Sequence, residues 1–345
     1  MLLGALHLAV IALILHGLSW LAVHPAVYAL VYARQMHPAN GYRLASALSA
    51  FRSAAPPRAL IIGPSTAVQM FDDTAISSVA PAYTVINAST SGGTLYCQET
   101  LLRAIKRQDA RPDIMVVTLS AMEMIDHPLD LVDNGYTDLF DLRDADLAES
   151  EEEGRDRVRM QLLIHTLFPP SRHRRSVAMH WRLALYNLQA AYRSKPLESR
   201  RFQRSDYEFA LPVPFPPNQV RPDQAKQDKM RGLWQKGRRL NPGFVGLPRH
   251  FAQLDRILAA ACEQAPFVVV LMLPHHSWVR EHVDSLVQQR LYDHLQTRSG
   301  SRCIILDWSA LLDDEDFFDD VHPTVKGRAK ASAALGDFLN TLPKP

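Results

Sequence analysis

The sequence predicts an α/β fold: a three-layer sandwich whose mainly parallel sheet lies between two layers of helix. Two observations carry the prediction. Short apolar runs recur along the chain and are continuous rather than alternating, as in strands buried on both faces. Segments of helical period separate them, so each strand is followed by a crossover that returns the chain parallel to itself.

The elements follow in order. "LLGALHLAVIALILHGLSWLAV", Leu2–Val23, contains no Asp, Glu, Lys or Arg and is long enough to span a bilayer as a helix. A cleaved signal peptide is one rival, but Met1–Leu3 lacks the basic start that it needs. A buried helix of a globular domain is the other, since the run is apolar all round. We read residues 1–24 as an uncleaved membrane anchor and residues 25–57, broken at Pro25 and Pro38, as a stalk ending at Pro56-Pro57. The main domain is expected over 58–342. "RALIIGPS" is its first strand, stopped by Gly63-Pro64, and "TAVQMFDDTAI" its first helix. "YTVINAS" is a second strand, "LYCQETLLRAIKRQ" an amphipathic helix and "DIMVVTLS" a third strand.

The pattern then lapses. Residues 127–245 are polar, rich in proline and segregated by charge, and read as a helical and loop insertion at one edge of the sheet. "DLRDADLAESEEEGRDR" is acidic, and "PPSRHRRSVAMHWRLALYNLQAAYRSKPLESRR" is basic and helical. The basic helix would touch an anionic lipid surface or polymer, or pair in solvent with the acidic run. The α/β pattern resumes with the helix "PRHFAQLDRILAAACEQA" and the buried strand "FVVVLMLP". The helix "SWVREHVDSLVQQRLYDHLQTR", the last strand "CIILDWS" and a closing helix "VKGRAKASAALGDFLNTL" complete it.

Composition excludes some functions. A net charge of +2 carries no overall bias toward nucleic acid. The three cysteines, Cys97, Cys262 and Cys303, have no CxxC spacing, so neither a zinc cluster nor a disulfide scaffold is expected. One bridge and a free thiol remain compatible with that spacing.

Three loops follow predicted strands, where open α/β sheets bind their ligands. Ser65, in "IIGPSTA", sits where a strand turns into a helix whose first N–H groups have no intrahelical partner. A plain N-cap serine is the other reading. "NASTSGG" puts Gly92 and Gly93 after the second strand, either as exposed N–H donors or as a helix-start turn. "DDVHP" follows the last strand. A nucleophilic serine needs a base, and the base needs a carboxylate to hold its tautomer. The three-residue spacing selects Asp319 over Asp320 as partner of His322; otherwise one of these acids caps the closing helix. An α/β-hydrolase elbow, G-x-S-x-G, is the competing pattern, but Ala67 stands at its second glycine and Ser65 follows the first strand of the domain. His275 and His276, after the fourth strand, and Glu123, after the third, are candidate substrate-binding residues. No ligand spacing supports a metal at His275, His276 and Asp320, and neither metal nor cofactor is expected.

"GPS" after the first strand, a glycine after the second and "DxxH" before the last helix resemble the SGNH (GDSL-like) hydrolase superfamily. The likeness spans roughly 58–126 and 246–340 and omits the insertion. It implies an SGNH/flavodoxin-like fold, with Ser65 as nucleophile, His322 as base and Asp319 as its partner. It also implies an oxyanion hole built from the N–H groups of Ser65 and Gly92. The family's third block supplies an Asn to that hole; here "LSAMEM" puts Met122 near its place. Loss of that Asn, an N-terminal anchor and a long insertion together resemble the membrane-anchored branch. That branch includes the D-alanyl transfer protein of teichoic-acid modification and polysaccharide O-acetylation proteins.

The implied protein is a single-pass protein of the bacterial inner membrane with its main domain outside the cytoplasm. It would transfer or remove O-acyl groups on an envelope carbohydrate polymer beside a membrane-bound O-acyltransferase. The charge bias points the other way, because the first cations, Arg34, Arg43, Arg52 and Arg58, all follow the apolar run. Long domains cross membranes largely regardless of such charges, so the resemblance carries more weight. Two alternatives stand beside it: an inactive protein of the same fold that binds glycan or recruits a partner, and an intracellular esterase.

Overall fold

The computed structural model describes residues 40–90, 94–124, 155–168, 247–282, 285–319 and 321–342, with single residues within 7–18 and 143–147 and at 228. Five strands form one all-parallel sheet in the order β2-β1-β3-β4-β5. They are β1 (Arg58–Ile62), β2 (Thr84–Asn87), β3 (Ile114–Leu119), β4 (Phe267–Met272) and β5 (Cys303–Asp307). Every residue of β3 is buried, as its unbroken apolar run requires of a central strand.

Helices cover both faces. Before the sheet comes α1 (Asn40–Ser53). Between β1 and β2 lie α2 (Ser65–Met70) and α3 (Asp73–Val79), and α4 (Leu95–Arg107) joins β2 to β3. Then come α5 (Arg155–Leu167), α6 (Leu247–Gln264), α7 (Ser277–His282), α8 (Ser285–Gln296) and the closing α9 (Val325–Thr341). On one face Ala59 and Ile61 of β1, Val116 of β3 and Val269 of β4 pack with Met70, Ile76, Ala331, Leu335 and Leu339 from α2, α3 and α9, and with Phe71 just after α2. Full burial of Leu335 is worth about 2 kcal/mol. The opposite face packs α4 against α6.

Two details depart from the sequence reading. The expected helix "TAVQMFDDTAI" is two helices, because Asp72 caps a second one by accepting the Ala75 N–H at 3.0 Å. Arg328 on α9 pairs with the same carboxylate at 3.1 Å, and Ser332 Oγ accepts the Asp72 N–H at 3.0 Å. The second detail concerns the stalk. Residues 40–53 form α1, whose Leu44, Leu48 and Phe51 are buried, and the Arg58 guanidinium lies 4.4 Å over the Phe51 ring.

The chain divides into two compact units, one of residues 1–42 and 131–214, the other of 43–130 and 215–345. The second holds the whole sheet. Most of residues 1–24 and of 127–245 lies outside the described residues. Among the described residues, no helix is long and apolar enough to cross a membrane.

Candidate active site

The strand order reverses direction at β1: β2 lies on one side of it, and β3, β4 and β5 follow on the other. Such a switch point leaves a crevice at the carboxyl ends of the strands. Ser65 stands there, as the first residue of α2. The turn that delivers it depends on Gly63. A Cβ at that position would sit 1.7 Å from Thr118 Oγ1 on neighbouring β3. Thr118 is held in turn, because its hydroxyl donates to the Ile62 carbonyl at 3.0 Å. The glycine therefore serves close strand approach. On the other side, Asn87 at the end of β2 donates to the Ala67 and Phe71 carbonyls, both at 3.0 Å, which locks α2 to the sheet. The Thr90 N–H donates to the Gly63 carbonyl at 2.9 Å.

His322 comes from the far edge. After β5 the chain runs back across the strand ends, and it is pinned on the way. The Asp314 carboxylate accepts the Ser277 N–H at 2.7 Å and the Ser277 hydroxyl at 2.6 Å, and His276 Nδ1 lies 3.5 Å from it. Burial pushes the Asp314 carboxyl up. The Ser277 bonds and the charges of His276 and Arg280 outweigh this and hold it below its ordinary value. Phe317 is in the core, whereas Phe318 is half-buried and donates its N–H to the His322 carbonyl at 2.8 Å. The fully buried Asp316 accepts the Thr324 N–H on its carbonyl at 2.7 Å and takes Lys330 Nζ at 3.1 Å on its carboxylate. Gly327 allows this approach, since a Cβ there would meet the Asp316 carbonyl at 2.3 Å. The closing helix starts at Val325 with Thr324 as its cap, so Asp319 does not cap it.

Ser65, His322 and Asp319 converge. His322 Nε2 lies 3.1 Å from Ser65 Oγ, across 257 residues of sequence, and His322 Nδ1 lies 2.8 Å from Asp319 Oδ2. The other carboxylate oxygen, Oδ1, accepts the His322 N–H at 2.7 Å and the Val321 N–H at 3.0 Å. Burial pushes the Asp319 carboxyl up, but the His322 hydrogen bond and charge and the two amides pull harder, so it stays below its ordinary value. A carboxylate there accepts a proton-bearing Nδ1, which leaves Nε2 with its lone pair toward the Ser65 hydroxyl. The arrangement can draw the proton from a serine as it attacks a carbonyl.

The other candidates are placed differently. Gly92 and Asp320 lie outside the described residues. His275 is buried, with Nε2 2.9 Å from Ser120 Oγ. Burial and the charge of Arg280 hold its pKa down to about 4, against a backbone hydrogen bond to Leu273. His276 is buried as well. Glu123 is buried and accepts the Ser120 N–H at 2.8 Å and Gln98 Nε2 at 2.7 Å, so its carboxylate ties α4 to the turn after β3. That turn is a short 3-10 helix, Ala121–Met124, and includes Met122. Among the described residues no group of His, Cys, Asp and Glu could hold a metal ion. Thr118, Ser120, Asn87 and Asp314 position the site, and nothing in a single sequence distinguishes them from ordinary polar residues at strand ends.

Fold and site together define an α/β protein with a Ser–His–Asp relay at the switch point of a parallel sheet. No protein-family model matches the chain, and no curated protein matches it.

Proposed function

We propose that the chain is a membrane-anchored serine acyltransferase or esterase of the SGNH (GDSL-like) type. Its substrate is an O-acylated glycopolymer of the cell envelope, and its main domain stands outside the cytoplasm beside a membrane-bound O-acyltransferase. The relay of 3.1 and 2.8 Å from Ser65 through His322 to Asp319 is the observation that carries the reading. Ser65 Oγ bonds to the acyl carbonyl carbon while His322 Nε2 takes its proton. The protonated imidazole then returns that proton to the departing alcohol, leaving an acyl ester on Ser65. A sugar hydroxyl attacks the ester in transfer, and water attacks it in hydrolysis, each giving its proton to His322. The Ser65 N–H, at the open first turn of α2, is a donor for the developing oxyanion, and the SGNH resemblance implies the Gly92 N–H as a second. This chemistry calls on no metal or cofactor.

The test is labelling with a fluorophosphonate, which reacts with an activated serine. Wild-type chain is expected to label and to move acyl groups onto or off envelope polysaccharide, and Ser65→Ala to do neither. A folded wild-type chain that does not label would overturn the reading. Met122, standing where the resemblance expects an Asn donor, favours a second one, a non-catalytic glycan-binding protein. In that case Ser65→Ala would leave polysaccharide acylation in cells unchanged.

A further inference from the structure

Helix α5 has a buried side and an exposed apolar one. Leu162 and His165 are buried. On the other side Met160, Leu163, Ile164, Leu167 and Phe168 stand 40–61% exposed. Their spacing follows the helical period and lines one stripe, along a helix about 20 Å long. Among the described residues, ten of the eleven exposed large hydrophobics belong to the compact unit of residues 1–42 and 131–214, with Val325 the exception. The other five of the ten, Val10, Ile11, Leu13, Ile14 and Leu18, come from the uncharged N-terminal run. A water-facing surface does not gather its exposed apolar side chains into one unit in this way.

Charge indicates what covers the stripe. From 155 to 175 the sequence has six arginines, Arg155, Arg157, Arg159, Arg172, Arg174 and Arg175, against the single acid Asp156. Arg159 is exposed. The acidic run of Glu149 and Glu151–Glu153 precedes this stretch, beyond Gly154, at the end of the helix where negative charge is favourable. At 13 residues and with four ionised groups, α5 is too short and too charged to span a bilayer. A short helix with an apolar stripe, in a stretch of sequence rich in arginine, suits the boundary between headgroups and acyl chains.

We propose that α5 lies on an anionic bilayer surface as an interfacial helix. Met160, Leu163, Ile164 and Leu167, with Phe168 just past the helix end, dip into the acyl boundary, and the net positive charge of the 155–175 stretch draws it to lipid phosphates. This contact is separate from the N-terminal run and does not rest on the serine chemistry.

The test uses the full chain with Cys262→Ser, leaving only the buried Cys97 and Cys303. Single cysteines replace Leu163, Ile164 or Leu167 on the stripe, or the exposed Thr166 beside it, and each carries a bimane probe. The chain is placed with vesicles of phosphatidylcholine, alone or mixed with phosphatidylglycerol, that contain a nitroxide-labelled lipid. Quenching is expected to be several-fold stronger on the stripe than at Thr166, and to need phosphatidylglycerol. Arg159→Gln is expected to weaken the phosphatidylglycerol-dependent binding about five-fold. Equal quenching at all four positions, or quenching that ignores phosphatidylglycerol, would overturn the proposal. So would a stripe shielded from lipid, as it would be beneath a protein partner or another segment of this chain.

Discussion

Asp319→Asn tests the relay without emptying it. An asparagine is nearly isosteric, but it has one oxygen where the carboxylate has two. Oδ1 of Asp319 accepts two backbone N–H groups, from His322 at 2.7 Å and Val321 at 3.0 Å. A side-chain NH2 turned toward them would set donors against donors, at a cost of several kcal/mol for two buried amides. The amide oxygen therefore stays at Oδ1 and the NH2 takes the place of Oδ2, facing His322 Nδ1. Nδ1 must then accept, so the ring proton moves to Nε2, which meets the Ser65 hydroxyl as a donor. The loop is unchanged and the base is lost. A wrong tautomer of this kind costs about 10⁴ in rate, or about 5.5 kcal/mol of transition-state stabilisation. The assay is the second-order rate of fluorophosphonate labelling for wild type, Asp319→Asn and Ser65→Ala, with a melting curve for each. Asp319→Asn should melt close to wild type and label about four decades more slowly. Labelling at the wild-type rate would refute the assignment of Asp319 to the relay.

Three further outcomes follow from the geometry. The His275 pKa of about 4, against an ordinary 6.5, means that the unfolded chain binds this proton more readily, so stability is fully present above 6.5 and is lost as pH falls toward 4. The loss is about 3 kcal/mol; urea unfolding at both ends of this window should show it in wild type and not in His275→Gln, and equal losses would count against burial of a neutral ring. Gly63→Ala should abolish labelling and lower stability by about 1–3 kcal/mol, and adding Thr118→Ala should restore part of both, because the nearest obstacle is the Thr118 hydroxyl. Cys262 and Cys303 are free thiols, each close enough to shift the other's pKa, so peptide mapping of chain taken from its native membrane should find them bridged if the domain faces an oxidising compartment. Such a bridge would add about 4 kcal/mol of stability, and a fully reduced pair would count against the extracytoplasmic placement.

The sheet was legible in the sequence because a strand buried on both faces must be apolar throughout. The runs at Ile114–Leu119 and Phe267–Met272 have the length of strands, shorter than a buried helix needs. Helices were legible by period, and their interruptions were not. The break at Asp72 comes from a cap that Arg328 and Ser332 support from another helix, far along the chain. The fate of α1 was equally hidden, because short helical pieces between prolines look the same whether or not a core receives them.

For the site, the sequence by itself determined the chemistry of the parts. A serine after a Gly-Pro turn and a carboxylate three residues before a histidine are local facts, and the Asp319–His322 contact is set within a single turn. Whether that pair meets a serine was decided only by tertiary structure. The strand order puts β3 and β4 between β1 and β5, and the returning loop closes the gap because Asp314 ties it to Ser277 and Asp316 and Phe317 bury beneath it. Strand order depends on which faces bury best against which helices, a sum over the whole chain that no short stretch contains. The same holds for His275, His276 and Glu123. As residue types they suggest a binding loop, yet burial ties His275 to Ser120 and Glu123 to Gln98 and the Ser120 amide, and sets His276 beside Asp314.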